Sequence, residues 1–186
     1  MTRHRPIVTI QNVVASASVG QRIDLDYIQK NFPDVEYNRE QFPGLVFRLA
    51  SPKTATLIFT TGKMVCAGSK SSDDAILAVK RVVQKLRKGG VNIKNDAMTT
   101  IQNIVASVDL GNRIHLEDAA RRLPRSMYEP EQFPGLIHRM LEPKTVTLLF
   151  ASGKIVCTGV RKEVDVYRSV NNLSVMLEEK KLFYEA

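Results

Sequence analysis

Part of this chain is written twice. Gln11-Asn12-Val13-Val14-Ala15-Ser16 returns as Gln102-Asn103-Ile104-Val105-Ala106-Ser107, an offset of 91 residues (102 − 11). Glu40-Gln41-Phe42-Pro43-Gly44-Leu45 returns unchanged as Glu131-Gln132-Phe133-Pro134-Gly135-Leu136, and Phe59 to Gly68 returns as Phe150 to Gly159, both at the same offset of 91. About half the positions from Ile10 to Gly68 match their partners without a gap. A period this long, present only twice, is not a solenoid signature. It describes a duplicated half-domain with internal pseudo-two-fold symmetry, residues 1–91 followed by residues 92–186, in one continuous domain.

Each half carries the same order of elements. Ile7–Ser16 is β-rich. Asp24–Asn31 reads as a short helix with Asp24 as its N-cap, ended by Pro33. Leu45–Leu49, Ala55–Thr60 and Lys63–Gly68 read as strands, separated by Ser51-Pro52-Lys53 and Thr61-Gly62 turns. From Ser72, the expected cap, to Lys88 the apolar residues Ile76, Val79, Val82, Val83 and Leu86 recur at helical spacing, and Gly89-Gly90 ends the run. The second long helix is expected over Lys162–Lys181. Consecutive strands joined by tight turns make an antiparallel sheet, and two helices per half cover only one face of it.

That leaves the other face to explain. Leu57-Ile58-Phe59, Leu148-Leu149-Phe150, Val13-Val14-Ala15 and Met64-Val65-Cys66-Ala67 are apolar on both faces of their strands. A sheet with one wet face alternates apolar and polar residues instead. Either two layers sandwich the sheet, or an apolar face is kept for a ligand. Four helices in 186 residues are few for a sandwich.

Charge narrows the ligand. The chain carries +8, and residues 1–91 hold 14 Lys/Arg against 7 Asp/Glu while residues 92–186 hold 13 against 12, so +7 faces +1. The first half suits a polyanion, and the second can also offer acidic contacts to a protein. An apolar face flanked by Lys and Arg suits a DNA minor groove better than a lipid surface. No apolar run approaches the length of a membrane span, and the basic Met1–Arg5 start runs into a strand rather than a signal sequence, so an intracellular protein is expected. Cys66 and Cys157 form no C-x-x-C pair, which argues against a zinc site or disulfide framework.

The repeated Gln-Asn-(Val/Ile)-Val-Ala-Ser, Glu-Gln-Phe-Pro-Gly-Leu and Phe-x-x-Gly-Lys-x-Val-Cys-x-Gly motifs closely resemble the TATA-binding protein family over about Ile7 to Leu182. The short N-terminus is similar to the archaeal form. The resemblance implies an α+β fold: a pseudo-two-fold saddle of about ten antiparallel strands, four helices on the convex side and DNA under the concave side. It implies a non-enzymatic initiation factor, without cofactors, located with the chromosomal DNA of an archaeal cell.

Its site residues carry over position by position. Phe42 with Phe59, and Phe133 with Phe150, match two intercalating pairs, and such wedges partly unstack a base step to bend the duplex. Asn12 and Asn103 match the central minor-groove donors, which need only the adenine N3 and thymine O2 acceptors that A·T and T·A share. Val14, Leu57, Val65, Val105, Leu148 and Val156 match the apolar floor. Thr158 matches a groove-contacting threonine, but its partner Ala67 departs from the pattern and breaks the symmetry. Arg48, Lys63, Arg139 and Lys154 match phosphate contacts. The acidic segment with Glu129, Glu131 and Gln132 matches the loop that binds transcription factor B, through which RNA polymerase is recruited. Whether the free protein pairs through its apolar face stays open.

Two other classes compete. His4, His115 and His138 match no repeated motif, and strand alternation puts both cysteines in the core, so no nucleophile–base pair speaks for an enzyme. An RNA-binding sheet stacks bases on aromatics within its strands, whereas these Phe residues are expected at strand ends.

Overall fold

The computed structural model describes residues 5–185, so His4 and the rest of the extreme N-terminus lie outside the described residues. The first copy of the repeat folds as β1 (Ile7–Ser18), α1 (Leu25–Asn31), β2 (Leu45–Ala50), β3 (Lys53–Ile58), β4 (Lys63–Ser69) and α2 (Ser72–Lys88). The second folds as β5 (Met98–Asp109), α3 (Leu116–Arg122), β6 (Ser126–Met127), β7 (Leu136–Leu141), β8 (Lys144–Leu149), β9 (Lys154–Val160) and α4 (Glu163–Glu179). Among the described residues nine strands form one antiparallel sheet in the order β2-β3-β4-β1-β5-β9-β8-β7-β6. Nine rather than ten follows from one weakened element. The β6–β7 pair Met127–Ile137 has its 91-residue equivalent in the isolated bridge Glu36–Val46, which is too short to count as a strand.

Two compact units emerge. One is Asn12–Gln102, a single 91-residue period (102 − 12 + 1), and the other joins the residues up to Gln11 with those from Asn103 onward. In each unit one face of the strands is sealed. Leu45, Phe47, Leu49, Ile58, Met64 and Cys66 are buried on that face, beneath α2 residues Ala75, Ala78, Val79, Val82, Val83 and Leu86. Withdrawing a side chain such as Leu86 from water contributes roughly 1.5–3 kcal/mol before chain entropy is subtracted. In the other unit Leu136, Leu149, Ile155 and Cys157 are buried with α4 residues Val166, Val170, Leu173 and Leu177.

Local chemistry sets the ends of these elements. Asp24 caps α1 as expected, its carboxylate accepting from the Tyr27 N–H at 3.1 Å. The cap of α2 is Ser71 rather than the expected Ser72. Ser71 has extended backbone (φ −151°, ψ 160°) and its Oγ accepts from the Asp74 N–H at 3.0 Å, while Ser72 is already the first helical residue. An N-cap must be non-helical to aim its side chain at those free amides. Strand β3 sits two residues earlier than expected, because Lys53 already pairs with Ala50 and the Phe59 N–H turns back to the Lys63 carbonyl at 2.9 Å. Phe59 thereby leaves the strand for the turn.

Candidate nucleic-acid interface

The uncovered faces are apolar in rows. Across β2, β3, β4 and β1 the register aligns Val46, Leu57, Val65 and Ser16, and all four remain partly exposed. The equivalent row across β7, β8, β9 and β5 is Ile137, Leu148, Val156 and Ser107, again partly exposed. Val14 and Val105 share this half-buried state, whereas their neighbours Val13, Ala15, Ile104 and Ala106 are fully buried on the opposite face. The sandwich alternative therefore fails: no second layer among the described residues seals the apolar floor within either unit.

A bulge orients each central asparagine. Val13 pairs with Ser69 but Ala15 pairs with Cys66, so β4 holds one extra residue there; Ile104 with Val160 and Ala106 with Cys157 repeat the shift on β9. Gly68 (φ +100°) and Gly159 (φ +96°) adopt the left-handed backbone that such a bulge demands, where a Cβ would be strained. The bulge frees their N–H groups from the ladder. Asn12 Oδ1 accepts from Gly68 at 2.7 Å, and Asn103 Oδ1 accepts from Gly159 at 2.8 Å. A backbone N–H can only donate, so the amide oxygen of each side chain is assigned and the Nδ2 donors are left to other acceptors. Asn103 Nδ2 lies 3.1 Å from Thr158 Oγ1, while Asn12 Nδ2 has no hydrogen bond among the described residues.

The phenylalanines meet in two pairs of the same geometry. Phe42 and Phe59 lie edge to face at 6.0 Å between centroids, and Phe133 and Phe150 at 5.9 Å. All four sit outside the strands, in the turns. Phe42 is 45% and Phe133 39% exposed, an unfavourable state for a large apolar ring unless something covers it. Glycine makes the edge-to-face pairing possible. A Cβ on Gly44 would fall 2.7 Å from Phe42 Cε1 and 3.0 Å from Phe59 Cε1, and one on Gly135 would fall 2.7 Å from Phe133 Cε1 and 3.0 Å from Phe150 Cε1.

The four flanking cations divide differently. Arg48 pairs with Glu36 at 3.0 Å and Lys154 with Asp109 at 3.1 Å, whereas Lys63 and Arg139 make no ion pair among the described residues. The Gly111 N–H and Lys154 together hold the Asp109 carboxyl below the usual carboxylate range. Glu129, Glu131 and Gln132 are all exposed. They lie in a turn in which the Glu129 carbonyl accepts from both the Gln132 and Phe133 N–H groups at 2.9 Å.

Comparison with known proteins decides the family. The profile described as "Transcription factor TFIID (or TATA-binding protein, TBP)" matches twice, over residues 7–89 and 98–180. The TATA-box-binding protein of Pyrodictium occultum is 52% identical over 175 residues, covering 94% of this chain and 88% of that protein. The chain belongs to the TATA-binding protein family. The TATA-box-binding protein of Methanobrevibacter smithii is 48% identical, with 92% of this chain and 95% of that protein covered. In three dimensions the chain matches the TATA-binding protein of Methanococcus jannaschii with a TM-score of 0.84 at 42% identity, over 92% of this chain and 98% of that one. Membership in the TATA-binding protein family makes the chain a DNA-binding general transcription initiation factor whose partners are promoter DNA and the transcription machinery.

Several residues of this face go beyond those singled out in the sequence. Val46 and Ile137 complete the apolar rows, and Gly44 and Gly135 seat the rings. Val46 was within reach of the alternation argument, since it lies two residues from Arg48 on the same strand face. Cys66 and Cys157 are fully buried on the sealed face, where burial pushes both thiols up, Cys157 to about 11. No group of three or more His, Cys, Asp or Glu among the described residues could hold a metal, and no described helix is long and apolar enough to cross a membrane.

Proposed function

We propose that the chain grips A/T-rich promoter DNA through the minor groove, bends it with the Phe42/Phe59 and Phe133/Phe150 wedges, and recruits transcription factor B and then RNA polymerase. The observation that carries this reading is the seating of each Phe pair on a glycine, in a unit whose central asparagine commits its amide oxygen to a backbone N–H and turns its amide donors away from the backbone. The apolar rows supply the groove floor, and Asn12 and Asn103 donate to N3 and O2 acceptors common to A·T and T·A. Inserting a ring costs a few kcal/mol of base stacking, which the wider contact on bent DNA offsets. Arg48, Lys63, Arg139 and Lys154 contact phosphates and set affinity and register. Glu129, Glu131 and Gln132 meet a basic surface of transcription factor B. The protein works with the chromosomal DNA inside an archaeal cell and catalyses no reaction. An RNA-binding sheet fits less well, because the four rings lie in turns and pack on each other rather than lying flat within strands.

Energy transfer across an A/T-rich duplex tests the wedges. Phe133→Ala or Phe150→Ala should lower both the bend and the affinity, and a variant that bends DNA like the wild type would remove the wedge role. Replacing T·A by inosine·cytosine changes the major groove and spares the minor one, so binding should survive. Complete loss on that duplex would mean that the major groove is read.

A further inference from the structure

The two open faces differ at one place. Register aligns Arg48, Ala55 and Ala67 across β2, β3 and β4, and Arg139, Val146 and Thr158 across β7, β8 and β9. Ala55 has two carbons fewer than Val146, and Ala67 has one carbon and one oxygen fewer than Thr158. Asn12, Arg48, Ala55 and Ala67 line a concavity beside the Gly68 bulge, together with residues such as Pro52 and Lys53. In the other unit Thr158 Oγ1 stands 3.1 Å from Asn103 Nδ2, and Val146 is its cross-strand neighbour.

Building on the minor-groove reading above, we propose that Ala55 and Ala67 let the Asn12 unit accept a purine 2-amino group, and hence a G·C pair, at the position where Val146 and Thr158 make the Asn103 unit reject one. Guanine differs from adenine in the minor groove by that one protruding N2 amine. Against a filled apolar floor the amine has no room and loses its water without replacement, which is costly. The four heavy atoms missing at Ala55 and Ala67 leave space for a single nitrogen. Asn12 Oδ1, holding only the Gly68 N–H among the described residues, has a second lone pair to accept from it. The ring N3 of guanine and O2 of cytosine still accept from Asn12 Nδ2, so nothing is lost on that side. The two halves of a binding site would then carry unequal sequence constraints, and a G·C pair in one half would orient the protein on an otherwise symmetric site.

A palindromic A/T duplex tests this, with 2,6-diaminopurine replacing adenine so that the 2-amino group is added without changing the pairing. The substitution is walked along the site, placed either in one half or symmetrically in both. At one position, modification of a single half should cost no more than about twofold, because the protein loses only one of two equivalent orientations, while modification of both halves should cost about tenfold or more, as a mismatch does. Ala55→Val with Ala67→Thr should make the single modification as costly as the double one is for the wild type. Val146→Ala with Thr158→Ala should relieve the double modification. If every position in the wild type costs the same factor for each modified half, the proposal is overturned, whatever the variants do. Failure of the wild type to prefer the unmodified A/T duplex over G·C-rich DNA would overturn the minor-groove reading instead.

Discussion

Gly135→Ala probes the wedge without touching the ring. The added Cβ would stand 2.7 Å from Phe133 Cε1, and 3.0 and 3.2 Å from Phe150 Cε1 and Cζ. Carbon atoms settle at about 3.5–4.0 Å, so the Phe133 edge must retreat by roughly 1 Å. Phe133 is exposed and free to yield, so the stability cost is that of a partly off-rotamer side chain, about 0.5–1.5 kcal/mol. For a chain of this size that lowers Tm by only about 1–6 °C. The DNA complex should suffer more. A wedge displaced by about an ångström no longer meets its base step, and losing an anchor of this kind costs roughly 2 kcal/mol or more, about thirtyfold in Kd. Energy-transfer bending and anisotropy titration on one A/T-rich duplex, alongside a thermal melt, separate the two effects. Wild-type bending and affinity in a stable Gly135→Ala protein would refute the seating of the ring on the glycine. A loss of stability of several kcal/mol would show that the ring cannot move.

The cations predict a difference in salt dependence. Lys63→Ala should flatten the slope of log K against log salt by about 0.9, one phosphate's worth, whereas Lys154→Ala should flatten it less because Asp109 already holds that ammonium. Asp109→Asn should accordingly tighten DNA binding, and a weakening would mean that the ion pair positions Lys154. With its thiol near 11, Cys157 is ionised to only about one part in a thousand at pH 8, so a thiol-directed disulfide reagent should react with neither cysteine until denaturant exposes them. Glu129→Arg with Glu131→Arg should abolish the ternary complex with transcription factor B in a gel shift while leaving binary DNA binding equal or tighter. Ternary complex at wild-type concentrations would place the partner site elsewhere.

Much of the fold is legible because each element appears twice. A helix that begins after Asp24, or a strand that ends in Phe-x-x-Gly-Lys, gains weight when the same pattern recurs 91 residues later. Alternation alone puts Val14 and Asn12 on one face and Val13 on the other, as the structure shows them. What is not legible depends on register and on distant neighbours. Two adjacent serines look equally able to cap α2, and only the backbone dihedrals select Ser71. Val46 joins Leu57 and Val65 only once turn geometry has started β3 at Lys53. The Arg48–Glu36 and Lys154–Asp109 pairs join residues 12 and 45 positions apart (48 − 36 and 154 − 109), beyond the reach of local patterning. The glycine under each Phe pair shows as a conspicuous Phe-Pro-Gly, but its purpose is visible only when the second ring arrives from the turn after β3 or β8.

The turn at Glu129 has a thermodynamic consequence. One carbonyl fixes both the acidic loop and the backbone from which Phe133 projects. On the reading proposed above, a protein that clamps the loop also restrains the Phe133 wedge, and DNA that captures the wedge also restrains the loop. Such linkage is reciprocal: whatever factor DNA adds to the affinity for the protein partner, that partner must return to the affinity for DNA. The first copy closes its turn on the Asn38 carbonyl, where no carboxylate is available at that position. On the partner reading proposed above, the coupling would be strongest at the end of the duplicated fold that carries the Glu129 carboxylate, since Glu40 and Gln41 repeat Glu131 and Gln132.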